Sequence, residues 1–172
     1  VTRKTKLLVV TAASNVLGTI NPITEIVRTV KRLNPACLVL VDAAQAAAHM
    51  PVDVGAWGAD FVAFSGHKML GPTGVGVLWG RYALLETMKP YQYGGEMISE
   101  VHLEKTLFKD PPHKFEAGTP DIGGVIGLGE AALYLTNIGM KRVRDHEIEI
   151  VGYALTQLSG LPYIHLIGPK IP

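Results

Sequence analysis

Cysteine is nearly absent: Cys37 is the single one in 172 residues. That excludes an internal disulfide framework and any multi-cysteine zinc site, and it fits a reducing compartment. Excess charge of one sign is lacking too, since 16 basic residues against 15 acidic leave a net charge of +1, and no basic run goes beyond the scattered TRKTK near the start. A nucleic-acid groove is therefore not indicated. No stretch approaches the ~20 apolar residues that a membrane helix needs. The only basic-then-apolar start, Lys4 to Val10, has too short an apolar run for a signal peptide. A soluble, cytoplasmic protein without a membrane partner is expected. Disorder is excluded by 48% apolar against 18% charged residues, so the chain can bury a core as one domain or as a piece of a larger one. It opens on Val1, enters a strand within a few residues and ends on GPKIP after a strand-like IHLIG, which reads as an internal segment of a longer chain.

What is present is an alternation of strand and helix patterns. Leu7 to Thr11 and Leu38 to Val41 are continuous apolar, β-prone runs followed by small or polar residues, and both read as strands buried on two faces. Between them, after Asn21-Pro22, the stretch ITEIVRTVKRL repeats Ile23, Ile26, Val27, Val30 and Leu33 at helical spacing. A strand, helix, strand unit implies parallel strands and an α/β fold. A short segment near Pro51 to Trp57 leads to a third strand at Asp60 to Phe64 and a fourth at Val75 to Trp79. The loop of about ten residues between the last two is too short for a crossover helix, so the fourth strand is expected to run antiparallel. Ala83 to Met88 reads as a short helix, and Tyr91 to Asp121 as irregular, interface-forming structure. Two helices are expected to follow. The first, Val125 to Ile138, contains Gly127 and Gly129, which would permit close backbone approach; the second runs from about Lys141 to Leu158.

In open α/β sheets ligands bind beyond the carboxyl ends of the parallel strands, and those positions are unusually polar here. Strand one is followed by Ser14 and Asn15, strand two by Asp42 and then Gln45, and strand three by Ser65, His67 and Lys68. If the strands are neighbours, these groups meet in one crevice. A lysine at a strand end can bind an aldehyde covalently, and an aspartate one strand away can face a protonated ring nitrogen. Those are the needs of pyridoxal phosphate, with Ser65 and His67 as donors to its phosphate. Plainer readings stand beside this one. Lys68 can sit in a solvated Ser-Gly-His-Lys turn, and Asp42 can cap a helix formed by AAQAAAH. His49, His102, His113, His146 and His165 have no partners at metal-ligand spacing, so they read as surface or packing residues and no metal site is expected. GPTGVG leads into a strand and lacks the Walker spacing, which argues against a nucleotide loop.

Four stretches carry a resemblance: VDAAQAAAHMPVDV, GADFVAFSGHKMLGPTGVGVLWG, YGGEMI and FEAGTPDIGGVIGLGEAALYL. Together they resemble the class V aminotransferase family of fold-type I pyridoxal-phosphate enzymes, and most closely its cysteine desulfurase and selenocysteine lyase branch. The likeness runs nearly the whole chain in order, and SGHKMLGPTGVGVL is its most specific block. It implies the second half of a three-layer αβα, cofactor-binding large domain with a mostly parallel sheet over residues 1–140. Residues 141–172 would be the linking helix and first strand of a small α+β domain.

By motif, Lys68 is similar to the lysine that binds the cofactor and later moves protons. Asp42 resembles the partner of the ring nitrogen, Gln45 the side chain near the ring hydroxyl, and Ser65 with His67 the phosphate ligands. Asn15 is similar to a residue that contacts the substrate carboxylate, and Thr119 to one that reaches the phosphate of the neighbouring subunit in a homodimer. The family's glycine-threonine phosphate loop, ring-stacking histidine, persulfide cysteine and carboxylate-binding arginine are not among the motifs here. The implied reaction is removal of sulfur from L-cysteine to give alanine and an enzyme persulfide, passed to a sulfur-acceptor protein for iron-sulfur cluster assembly. Selenocysteine lyase and kynureninase-like chemistry share the same pattern. A catalytically silent α/β fragment acting as a scaffold is the reading from a different class.

Overall fold

The computed structural model describes residues 1–172. Four strands, β1 (Leu7–Thr11), β2 (Leu38–Asp42), β3 (Phe61–Ser65) and β4 (Gly76–Gly80), form one sheet in sequence order. β1, β2 and β3 are parallel, and β4 returns antiparallel to β3, as the short intervening loop requires. Helix α1 (Ile23–Leu33) makes the first crossover, and the short helices α2 (Ala46–His49) and α3 (Val54–Trp57) the second. The order and direction of these elements match the α/β expectation.

One face of the sheet holds the core. The parallel register sets Leu8 beside Val39 and Val10 beside Val41, and the next pairs carry the stripe through Val62 to Trp79. Against this stripe α1 lays Ile23, Val27 and Val30, all buried. The 3.6-residue repeat thus meets the two-residue pleat of the strands. Leu33 falls outside the packed stripe at the carboxyl end of α1, exposed by 56%.

The expectation that β1 and β2 are buried on both faces is corrected for β1, and on β2 the second face is only half-buried at Leu38 and Leu40. Leu7 and Val9 are 47% and 58% exposed, alternating with the packed Leu8 and Val10. A continuous apolar run does not say which of its faces this chain covers.

The amino-terminal edge of the sheet is locked by a buried carboxylate. Asp60 Oδ2 accepts from Lys31 Nζ at 2.6 Å and from the Val39 N–H at 2.8 Å, while Arg81 Nε lies 3.3 Å from Oδ1. Lys31 Nζ also donates to the Cys37 carbonyl at 2.9 Å. Such a group tolerates burial because charge partners and a backbone donor share it. Cys37 sits at this same edge, fully buried.

After β4 come α4 (Tyr82–Thr87) and a two-stranded hairpin of β5 (Ile98–Val101) and β6 (Thr106–Phe108). The hairpin corrects the irregular structure expected between Tyr91 and Asp121. Its strands are only four and three residues long and a register shift separates Ile98 from Glu100, too little for an alternation to show in the sequence.

Helix α5 (Ile122–Ile138) starts three residues earlier than expected because Asp121 caps it, its side chain accepting from the Gly124 N–H at 2.9 Å. Gly127 does mark a close approach, since a Cβ there would lie 2.7 Å from Pro72 Cγ; Gly129 faces open space. At Gly139, with φ of 90°, the chain bends by 72° into α6 (Met140–Ser159). No strand forms in the following IHLIG segment, where no neighbouring strand takes its backbone groups. No single helix is long and apolar enough to cross a membrane.

Candidate active site

The carboxyl ends of β1, β2 and β3 lie side by side, because Thr11 pairs with Asp42 and Asp42 with Ala63. Each end then turns in a way that its own sequence explains. After β1, the Ser14 hydroxyl accepts from the Val16 and Leu17 N–H groups at 3.2 and 3.1 Å, and Gly18 closes the turn at φ 70°. Ser14 therefore shapes the loop that presents Asn15. After β2, Asp42 Oδ1 accepts from the Ala44 N–H at 2.9 Å, an Asx-turn that leads into α2. The capping alternative is met only in part, since α2 begins at Ala46 with Gln45 at its N-cap and no side-chain cap. Asp42 is exposed and has no cationic side chain within bonding distance in this chain.

After β3, a 3₁₀ turn over Gly66–Lys68 projects the lysine. Glycine is required at 66, where a Cβ would stand 2.9 Å from the Val75 carbonyl oxygen and 3.3 Å from Leu128 Cδ1. The turn is stitched by Gly66 N–H to Val75 O and Gly71 N–H to Gly66 O, both 2.9 Å. Two residues beyond the lysine, Leu70 takes φ of 66°. That conformation is costly for a branched side chain, and such strain gathers at functional turns.

Three of the residues singled out from the sequence meet at one atom. Asn15 Oδ1 accepts from Lys68 Nζ at 3.3 Å and also from Gln45 Nε2. One amide oxygen thus joins all three strand ends, whose residues lie 30 and 53 positions from it in sequence. Ser65 and His67 flank the lysine on the same turn and make no side-chain hydrogen bond within the chain, so their donors are free for a ligand. Thr119 is not brought to this group. It lies exposed in the turn ahead of α5.

A cleft of about 740 Å³ opens beside the cluster, bordered by Asn15 and Gln45 on one side and by Arg144 and Glu147 of α6 on the other. His49, read from the sequence as a surface or packing residue, also lines it, and its Nδ1 lies 2.6 Å from Glu147 Oε1. Nothing local in the sequence signals this pair, because its members are 98 residues apart.

The family model for aminotransferase class-V matches residues 1–172. The chain belongs to that family. Within it, the chain is 50% identical over 169 residues to a probable cysteine desulfurase of Streptomyces coelicolor, covering 98% of this chain and 40% of that protein. Among solved structures it is similar to the apo cysteine desulfurase of Thermococcus onnurineus NA1. That match has a TM-score of 0.89 and 39% identity, over 97% of this chain and 41% of that one. It is also similar to C-DES solved with glycine covalently linked to its PLP cofactor, with a TM-score of 0.88 and 25% identity over 100% of this chain and 46% of that one. The chain spans about two fifths of the length of the curated relatives it matches. The class-V match, the sheet order and the polar strand ends agree with one another.

Proposed function

We propose that this chain is the cofactor-holding portion of a pyridoxal-phosphate-dependent cysteine desulfurase. The observation that carries the reading is the Lys68 amine, bonded to Asn15, beside a strand end where the Asp42 carboxylate has no cationic partner. The donor set fits the cofactor: an amine for its aldehyde carbon, a carboxylate for its ring nitrogen, and a hydroxyl and an imidazole for its phosphate. When bound, pyridoxal phosphate supplies an electron sink for bonds at the substrate α-carbon.

The chain's own residues would then divide the work. Lys68 binds the cofactor and afterwards holds and returns protons with its amine. Asp42 keeps the ring nitrogen protonated. Gln45 donates toward the ring oxygen, and Ser65 and His67 hold the phosphate. Asn15, released from Lys68 and Gln45, has an amide with which to orient the substrate carboxylate. The overall change converts L-cysteine to L-alanine, and the sulfur leaves onto a thiolate as a persulfide. That thiolate is not Cys37: five residues of strand at ~3.3 Å each put it about 16 Å from Asp42, at the opposite edge of the sheet. Exchange of Cys37 for serine in the full-length protein should cost about 1–3 kcal/mol by burying a hydroxyl. Persulfide formation should be unchanged; its loss in a folded, cofactor-loaded Cys37→Ser protein would overturn this assignment.

A homodimer is part of the reading. The free hydroxyl of exposed Thr119 suits a phosphate held by a second copy, and the apolar Val101 and Leu103 of the hairpin, 73% and 107% exposed, suit a protein contact. A cytoplasmic sulfur acceptor serving iron-sulfur cluster assembly completes it. The test is to load the full-length protein with pyridoxal phosphate, supply L-cysteine and a reductant, and measure alanine and sulfide. Equal amounts of both are expected. A visible cofactor band with no alanine from cysteine, but alanine from selenocysteine, would replace the desulfurase by a selenocysteine lyase. Absence of the band would refute both.

A further inference from the structure

We infer that His49 and Glu147 form a positioning pair that holds the cofactor-facing turn of α2 in register with α6. The inference rests on the desulfurase reading, since it concerns residues assigned there to cofactor and substrate.

Gln45 has helical backbone angles at the N-cap of α2, and the Ala48 N–H donates to its carbonyl. His49 lies four residues on, so the two side chains project from one face, a single turn apart. Asp42 stands three residues before Gln45 on the same short stretch. Whatever fixes His49 therefore fixes the orientation of the segment that presents both groups. A helix of four residues has little rigidity of its own, because most of its backbone donors and acceptors belong to its ends.

The partner is Glu147, midway along α6. That helix buries none of its residues, and its other side-chain hydrogen bonds, from Lys141, Thr156 and Ser159, stay within it. The contact of His49 Nδ1 with Glu147 Oε1 at 2.6 Å is thus the only side-chain hydrogen bond joining α6 to the rest of the chain. Both residues line the cleft that Asn15 and Gln45 border. A bond in that place couples two things that no other side-chain hydrogen bond couples: the angle of α6 beyond the bend at Gly139 and the wall of the cleft that carries Asn15 and Gln45.

The experiment uses the full-length protein. Glu147→Ala and His49→Ala each cut the bond from one side. Glu147→Gln keeps an acceptor oxygen in the same place, and His49→Asn keeps an N–H near the position of Nδ1. Pyridoxal phosphate is titrated into each apo-protein, the visible band is recorded, and KM and kcat for L-cysteine are measured with the melting temperature. Each alanine variant is expected to weaken cofactor binding about tenfold and to raise KM more than it lowers kcat. The double variant should be no worse than either single one, as for residues that act through one contact. Glu147→Gln and His49→Asn should stay near wild type. If wild type behaves as a desulfurase but the alanine variants keep its cofactor affinity, band and KM, the pair is only a structural tie and the inference fails, whatever happens to the melting temperature. A damaging Glu147→Gln with a harmless Glu147→Ala would also overturn it. Failure of the functional reading looks different: wild type itself would bind no cofactor, and the role of the pair would fall with it.

Discussion

Lys68→Arg in the full-length protein is expected to abolish turnover and covalent cofactor capture while leaving the fold intact. Arginine keeps the positive charge and a similar reach, so it can occupy the place beside Asn15 Oδ1 that Lys68 Nζ fills. A guanidinium, however, stays protonated through neutral pH and offers no free amine, neither to attack an aldehyde nor to take a proton. The proton-transfer role alone is worth roughly 10²–10⁴-fold in rate, and the loss of covalent attachment adds to it. Borohydride fixes the lysine–cofactor bond, and peptide mapping of the wild-type protein should then find the label on Lys68. Recovery of the label on another lysine would sink the assignment. So would appreciable turnover by a Lys68→Arg protein that melts like wild type.

For Asp42→Ala the expected loss in kcat is about 10²–10³-fold, the size found when one preorganised electrostatic partner is removed from a site (~2.7–4 kcal/mol). The carboxylate is the only acidic group at the end of β2, and no cation of this chain neutralises it. On the proposed reading its removal would take away the carboxylate that would face the cofactor's ring nitrogen, and with it the support for the electron sink the cofactor would supply. The structural penalty is smaller. The Asp42 side chain accepts one hydrogen bond within the chain, from the Ala44 N–H, worth about 0.5–1.5 kcal/mol. The variant should fold, bind cofactor and turn over slowly. Steady-state kinetics beside a melting curve separate the two effects, and near-wild-type kcat would remove Asp42 from the ring.

Much of this was legible in the residues. The runs Leu7 to Thr11 and Leu38 to Val41 announce strands because they are apolar, β-prone and followed by small or polar residues. The ten-residue return between β3 and β4 leaves antiparallel pairing as the compact solution. The meeting of Asn15, Gln45 and Lys68 followed from strand adjacency, which a strand, helix, strand pattern strongly favours. Long-range polar pairing left no such trace. Asp60 reads as the polar start of a strand, and nothing in its neighbours says that Lys31 and Arg81 converge on it. His49 reads as the end of an alanine-rich turn, with its partner on a helix near the far end of the chain. The open face of β1 was equally hidden, because burial depends on what packs against a strand and not on its composition alone.

The reversal of β4 has a kinetic meaning for the lysine. Lys68 is carried by a return whose two stems are zipped together: Ser65 pairs with Gly76, and the Gly66 N–H is held by the Val75 carbonyl. Shifting the lysine backbone would require opening that ladder from its end, whereas rotation about its flexible four-carbon stem breaks no backbone bond. Side-chain rotations of this kind take picoseconds to nanoseconds, far faster than the microsecond-to-millisecond rearrangements of loops and domains. The amine therefore works like a short arm on a bolted base. On the desulfurase reading proposed above, any slow motion that sets the pace of turnover would then come from elsewhere, such as a loop that admits substrate or a thiol that arrives to collect sulfur.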